Sequence, residues 1–155
     1  RDHAAFLLKQ VGLGTHIDQR FGTLSTGEQR RALIARAMVH LPEMLILDEP
    51  TYGLDIAGRE HVLATVQQVL AMDDPPTVLM ITHHVEELLP DTAKLVLMKQ
   101  GRVLAEGVPD DIVTPERLSQ AFGCKVYVRR VHGRWWPEVL PEAWVDLIRG
   151  RSPRA

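Results

Sequence analysis

Two short apolar stretches of the chain end in side chains that could do chemistry. "MLIL", residues 44–47, is followed by Asp48 and Glu49, and "VLMI", residues 78–81, is followed by Thr82 and His83. In an open parallel sheet, ligands bind beyond the carboxyl ends of the strands. If these stretches are neighbouring strands, a metal ligand, a carboxylate base and an imidazole face one crevice.

These side chains suit metal-assisted phosphoryl chemistry. Asp48 suits Mg²⁺, which takes one or two carboxylates and completes its coordination shell with water and substrate phosphates. Glu49 could orient or deprotonate an attacking water, and His83 could contact the transferred phosphoryl group. An acidic pair in a solvated loop is the alternative interpretation, and the second strand ending in "TH" favours the chemical one. A metal site from His83, His84 and Glu87 is conceivable, but adjacent histidines after a strand rarely point at one ion.

A helix start lies shortly before the acidic pair. Ser25-Thr26-Gly27-Glu28 has the form of a capping box, in which the serine accepts from a helix amide and the glutamate reaches back. The free amides and positive dipole end of such a helix attract phosphate, and Gly27 lets backbone approach closely. A serine that only caps a helix explains the same residues without a ligand, so proximity to "LILDEP" is what favours binding.

The remaining pattern predicts an α/β domain with a parallel core. "MLILD" and "TVLMI" are apolar runs typical of strands buried on both faces, and a helix from about Ile56 to Met72 lies between them. The helix after Ser25 is expected to bury one apolar face, made of Leu33, Ile34, Ala37 and Met38. Downstream, turns at Gln100-Gly101 and His132-Gly133 predict two hairpins, and short helices follow each of them.

Composition narrows the classes of function. The chain has 155 residues, of which 45% are hydrophobic and 25% charged, as in one ordinary globular domain. Its net charge of -2 gives no field that would recruit nucleic acid or an anionic membrane, so no direct nucleic-acid partner is expected. The single cysteine, Cys124, excludes an internal disulfide and fits a reducing compartment. No apolar run approaches the roughly 18 residues of a membrane span.

Several segments together resemble the ATP-binding cassette (ABC) ATPases. "LSTGEQRRALIARAMV" resembles their signature segment, commonly LSGGQ, and "MLILDEP" resembles the Walker B strand. "TYGLD" resembles the D-loop and "ITHH" the switch-histidine segment. "LMKQGRVLAEGVPDDIVTPERLSQAFG" is similar to the end of the nucleotide-binding domains of import-type transporters. The resemblance covers about residues 4–130, with the motifs in the family's order.

The resemblance implies a partial P-loop NTPase fold of the ABC type, with a parallel sheet core flanked by helices and with C-terminal hairpins. Residues 1–130 would be the C-terminal part of the ATPase domain, from the end of the helical subdomain to beyond the switch histidine. Residues 131–155 would be a tail with a hairpin and a short helix. In that tail, Trp135, Trp136 and Trp144 are expected to cap a core rather than form a partner-binding patch.

The resemblance also implies roles for residues in binding ATP and Mg²⁺. Asp48 would hold the metal through its shell, Glu49 would polarise the hydrolytic water, and His83 would sense the γ-phosphate. The signature residues Ser25, Thr26, Gly27 and Glu28 would face the ATP held by the opposite subunit of a head-to-tail dimer, with Ser25 and Gly27 contacting its γ-phosphate. Asp55 would work across the same interface.

The implied function is that of the ATP-hydrolysing subunit of an importer. Its partners would be a second ATPase subunit and a membrane permease, and it would lie peripherally on the cytoplasmic face of the inner membrane. A non-transport ABC ATPase acting on nucleic acid or ribosomes is the alternative, and an inactive truncated remnant is another.

The sequence departs from the family pattern in several respects. It contains no G-x-x-x-x-G-K-[ST], so the phosphate loop is expected upstream of Arg1, and the chain as given should bind ATP poorly in cis. Thr26 replaces a glycine of the signature, and Glu28 with Gln29 replaces its usual glutamine. Tyr52 stands where a small or polar D-loop residue is commoner.

Overall fold

The computed structural model describes residues 2–149, apart from the side chain of Asp146. Arg1 and the last six residues of the predicted tail, 150–155, lie outside the described residues. The chain forms two compact units, of which the first ends at His83 and the second begins at His84. None of the helices in residues 2–149 has the length and apolarity that crossing a bilayer requires.

The first unit contains three α-helices and a pair of strands. Its elements are α1 (Asp2–Gln10), α2 (Thr26–Met38), β1 (Met44–Asp48), α3 (Ile56–Leu70) and β2 (Thr77–Ile81), with 3₁₀ turns at Gly14–His16 and Phe21–Thr23. The core of this unit includes Leu7, Leu13, Ile34, Leu45, Val62 and Val66. These elements confirm the predicted order of helices and strands.

Strands β1 and β2 pair in parallel, with Met44 opposite Thr77 and Asp48 opposite Ile81. Within residues 2–149 the two strands are buried on one face, whereas the prediction had both faces buried. Leu45 is 4% exposed, whereas Ile46 is 59% exposed and Leu79, its partner in β2, is 48% exposed. Side chains alternate between the faces of a sheet, and only one face of this sheet lies against the core of its unit.

The second unit is built from two hairpins and short helices. Its elements are β3 (Leu95–Lys99), β4 (Arg102–Gly107), α4 (Pro109–Ile112), α5 (Pro115–Phe122), β5 (Tyr127–Val131), β6 (Arg134–Glu138) and α6 (Trp144–Ile148), with 3₁₀ turns at Val85–Glu87 and Pro141–Ala143. Both predicted hairpins are present, and β5 begins before residue 131, where the tail was expected to start.

Each hairpin turns where the sequence predicts it. Gln100 and Gly101 have φ of 50° and 73°, and His132 and Gly133 have φ of 51° and 78°. Two successive residues with positive φ match the right-handed twist of the flanking strands, which is why a glycine stands second in each turn.

The core of the second unit centres on Leu88, Val113, Leu118 and Val126. Trp135 packs against this cluster, as expected of a tryptophan that caps a core. Trp136 and Trp144 are 38% and 57% exposed, so the same expectation is wrong for Trp144 and holds only partly for Trp136. The exposed ring of Trp136 instead lies under the guanidinium of Arg134, 5.5 Å from the ring centroid.

Helix α2 begins at the predicted capping box. The Ser25 hydroxyl oxygen accepts from the Glu28 backbone N–H at 3.4 Å, and the Ser25 backbone N–H donates to Glu28 Oε2 at 2.8 Å. The Ser25 hydroxyl also donates to Glu28 Oε2 at 2.7 Å. These bonds from Ser25, its hydroxyl first and its amide second, lower the pKa of Glu28, and the nearby charges of His16 and Arg31 act in the same direction.

We expect replacement of Glu28 by Gln to change how stability depends on pH. A lowered pKa means that the folded state favours the carboxylate, so its contribution is complete above the ordinary value of 4.5 and is lost as pH falls through the folded value. The melting temperature of the full-length protein relative to Glu28→Gln should therefore fall between neutral pH and about pH 3.

Glu43→Gln is the matched control, because it removes an exposed carboxylate outside the capping box. A melting-temperature difference between wild type and Glu28→Gln that stays constant over the same pH range would contradict the lowered pKa of Glu28.

Candidate functional site

The structure brings Glu49 and His83 into contact at the carboxyl edge of the sheet. The backbone N–H of Glu49 donates to the carbonyl of Ile81 at 2.9 Å, which extends the pairing of β1 and β2 past their last residues. Glu49 Oε1 then lies 3.0 Å from Nδ1 of His83. Both side chains are exposed, at 42% and 54%. The carboxylate and the imidazole thus meet at a solvent-accessible edge, as expected if the two strands are neighbours.

Glu49 has a strained backbone. Its φ of 43° lies in the left-handed region, which costs a non-glycine residue about 1–3 kcal/mol. Two hydrogen bonds hold it there, because its N–H is bound to β2 and its carbonyl accepts from the N–H of Tyr52 at 3.1 Å. Strain of this kind is concentrated at functional sites, where the surrounding structure fixes the residue.

Asp48 is the last residue of β1, and its side chain is exposed. Among residues 2–149 its carboxylate makes no hydrogen bond or ion pair. A single accessible carboxylate fits Mg²⁺, which takes one or two carboxylates and keeps water and phosphate oxygens as its other ligands.

Two residues of the alternative metal site, His84 and Glu87, lie in the second unit. His84 Nδ1 lies 3.4 Å from Glu86 Oε1, and Glu87 is only 1% exposed. Within the described part of the chain, no group of three or more His, Cys, Asp or Glu residues could hold a metal ion.

The starts of α2 and α3 lie against each other. Asp55 caps α3, and its Oδ1 accepts from the N–H of Gly58 at 2.7 Å. A Cβ added to Gly27 would lie 3.6 Å from the Cα of Gly58. Ser25 and Thr26 are exposed beside this contact, whereas Gly27 and Glu28 are partly buried.

The predicted site residues therefore form two groups. Asp48, Glu49 and His83 stand at the carboxyl edge of the sheet, while the signature residues and Asp55 stand at the two helix starts. Within residues 2–149, neither Ser25 nor Glu28 hydrogen-bonds to Glu49.

Sequence reasoning missed one contact of the signature segment. His16 Nε2 lies 3.3 Å from Glu28 Oε1, and His16 Nδ1 lies 3.0 Å from the hydroxyl of Thr15. His16 ends the 3₁₀ turn Gly14–His16, in a stretch without regular apolar spacing. A histidine in a loop gives no pattern that predicts its partner, so the structure was needed to find this pair.

Comparison with known proteins bears on the family and the fold of the chain. A family model described as ABC transporter matches residues 1–52. The uncharacterized ABC transporter ATP-binding protein YlmA of Bacillus subtilis is 43% identical over 128 residues, covering 83% of this chain and 48% of the relative. The aliphatic sulfonates import ATP-binding protein SsuB 2 of Frankia alni is 42% identical over 103 residues, covering 66% of this chain and 42% of the relative.

Similarity to a solved structure identifies the fold. CbiO1 of Clostridium perfringens, part of the ABC transporter complex cbiONQ, superimposes with a TM-score of 0.63 at 29% identity, over 77% of this chain and 47% of its own. The chain spans about half the length of the curated relatives it matches. These similarities confirm the predicted α/β fold, and the chain belongs to the ATP-binding cassette family of ATPases.

Proposed function

We propose that the complete protein is the ATP-hydrolysing subunit of an ABC transporter that imports a solute through a membrane permease. The observation that carries the proposal is the contact of Glu49 with His83 at the ends of two paired parallel strands, in a chain of this family. Similarity to an import protein such as SsuB 2 supports the direction of transport. The subunit would lie peripherally on the cytoplasmic face of the inner membrane.

In this proposal the hydrolytic water is activated at the carboxyl edge of the sheet, beside Glu49. ATP with Mg²⁺ supplies the phosphoryl group and a positive charge that stabilises the transferred phosphate. Asp48 would hold the metal. Glu49 accepts the proton of the water, and His83 fixes one oxygen of that carboxylate. The other oxygen, Oε2, makes no hydrogen bond within the described residues and can receive the proton.

The helix starts serve the ATP bound by a second subunit. Ser25, Thr26, Gly27 and Glu28 would meet the γ-phosphate of that ATP with the positive end of α2. Asp55 would act across the same interface, which fits the close approach of Gly27 to Gly58, three residues beyond Asp55 at the start of α3. Each ATP would then lie between two subunits, and the dimer would be head to tail.

Replacement of Glu49 by Gln should separate binding from hydrolysis in the full-length protein. The amide keeps the shape of the side chain but cannot accept the proton, so hydrolysis should fall by about 10²–10⁴-fold. ATP binding should change little, because the carboxylate acts only as water is activated. Single-turnover hydrolysis and equilibrium ATP binding measure the two effects.

Glu43→Gln is the control for this experiment, since Glu43 is an exposed glutamate directly before β1. Its rate should match that of the wild type. If Glu49→Gln retained most of its hydrolysis, Glu49 would not be the base.

Mixing two inactive variants tests whether the site is shared between subunits. When Ser25→Ala and Glu49→Gln subunits pair, a head-to-tail dimer has one site with both groups intact. Activity should return to about a quarter of the wild-type value, because about half of randomly paired dimers are mixed and each has one working site. The steady-state ATPase rate of the mixture measures this recovery.

The reciprocal mixture is the control. A subunit carrying both Ser25→Ala and Glu49→Gln leaves no intact site when it pairs with a wild-type subunit in a head-to-tail dimer. In a one-to-one mixture, wild-type homodimers alone should give about a quarter of the wild-type activity. About half of the wild-type activity in this mixture, with no recovery in the first, would show that Ser25 and Glu49 serve the same ATP within one subunit and would reject the shared site.

A further inference from the structure

A chain of side-chain contacts connects a loop of the first unit to the start of α2. The hydroxyl of Thr15 lies 3.0 Å from His16 Nδ1, and His16 Nε2 lies 3.3 Å from Glu28 Oε1. The other oxygen of that carboxylate, Oε2, accepts from both the hydroxyl and the backbone N–H of Ser25. The side chains of His16 and Glu28 are 29% and 24% exposed, so the contact is partly shielded from water.

Glu28 creates an electrostatic problem at this position. Its carboxylate stabilises α2, because a negative charge is favourable at the N-terminus of a helix. Its lowered pKa keeps it ionised at neutral pH. The same charge would repel the γ-phosphate that Ser25 and Gly27 are proposed to contact. A glutamine at this position would carry no such charge.

Two basic side chains lie near enough to Glu28 to affect its pKa. Arg31 is one, but its guanidinium is fixed elsewhere, because NH1 donates to the carbonyl of Val11 at 2.9 Å. His16 is the other, and its Nε2 lies 3.3 Å from Glu28 Oε1, so its imidazole pairs with this carboxylate when it is protonated. His16 is therefore placed to offset the charge of Glu28.

We propose that His16 is a positioning residue for the ATP-contacting start of α2. In its protonated form, His16 offsets the carboxylate charge by binding Oε1 and keeps Oε2 on the backbone N–H of Ser25. The Ser25 hydroxyl can then turn its proton from Glu28 to a phosphate oxygen while the start of the helix stays capped. This inference rests on the proposed function, since it assumes that ATP of a second subunit meets the signature residues.

The test measures ATP-dependent dimer formation of the full-length protein in a Glu49→Gln background. His16→Ala should raise the ATP concentration for half-maximal dimer formation by about threefold to fivefold, as expected for loss of a partly exposed ion pair. In the protein with Glu49 intact, it should raise KM for ATP by a similar factor and leave kcat unchanged, because His16 does not touch the water. His40→Ala, which removes an exposed histidine after α2, should change neither value.

A neutral side chain at position 28 distinguishes a positioning role of His16 from a general effect of His16→Ala on folding. In a Glu28→Gln background there is no carboxylate charge to offset, so His16→Ala should no longer change the ATP requirement. An equal loss in both backgrounds would overturn the proposal, because His16 would then act without Glu28. If His16→Ala does not fold, His16→Gln keeps a donor for Glu28 without the charge and should raise the requirement by about twofold. An unchanged requirement in His16→Gln would likewise overturn the proposal.

The dimer measurement distinguishes failure of this inference from failure of the proposed function. If Glu49→Gln forms a dimer with ATP and His16→Ala leaves the ATP requirement unchanged, only the role of His16 is rejected. If Glu49→Gln forms no ATP-dependent dimer, the shared site is rejected and the role of His16 with it.

Discussion

The parallel pairing of β1 with β2 is the interaction on which the candidate site depends. Parallel strands end at the same edge of a sheet, so Glu49 and His83 meet although α3 and both its connections separate them in sequence. Helix α3 supplies the crossover that parallel pairing requires. The pairing also continues one residue past β1, where Glu49 N–H bonds to Ile81, and this bond helps to hold Glu49 at its positive φ.

The start of α2 is organised by charge and hydrogen bonding more than by packing. Ser25 and Glu28 satisfy each other's backbone amides, and His16 occupies the remaining oxygen of the carboxylate. The same free amides that need a cap can attract a phosphate. The same short segment therefore stabilises the helix and offers amides to a phosphate. The ionised Glu28 favours the first, because its charge stabilises the start of the helix, and opposes the second, because its charge repels a phosphate.

Local features of this fold could be predicted from the sequence, whereas features that depend on distant neighbours could not. The capping box at Ser25 and the turns at Gln100 and His132 depend on a few adjacent residues, and each is present. Whether the second face of β1 is buried depends on what packs against it, so apolar content alone could not show that Ile46 is exposed. In α2, the buried face includes Ala35, whereas Ala37 is exposed, because the apolar residues allow two faces and packing selects one. The contact of Glu49 with His83 was predictable, since both follow apolar strands.

We propose that the start of α2 and the acidic pair after β1 serve two different ATP sites. The most direct measurement is a crystal structure of the full-length Glu49→Gln protein with ATP and Mg²⁺. We predict a dimer in which each ATP lies between Asp48 of one subunit and Ser25 of the partner subunit. An ATP that contacts Asp48 and Ser25 of the same subunit would show that both groups serve one ATP site within a subunit.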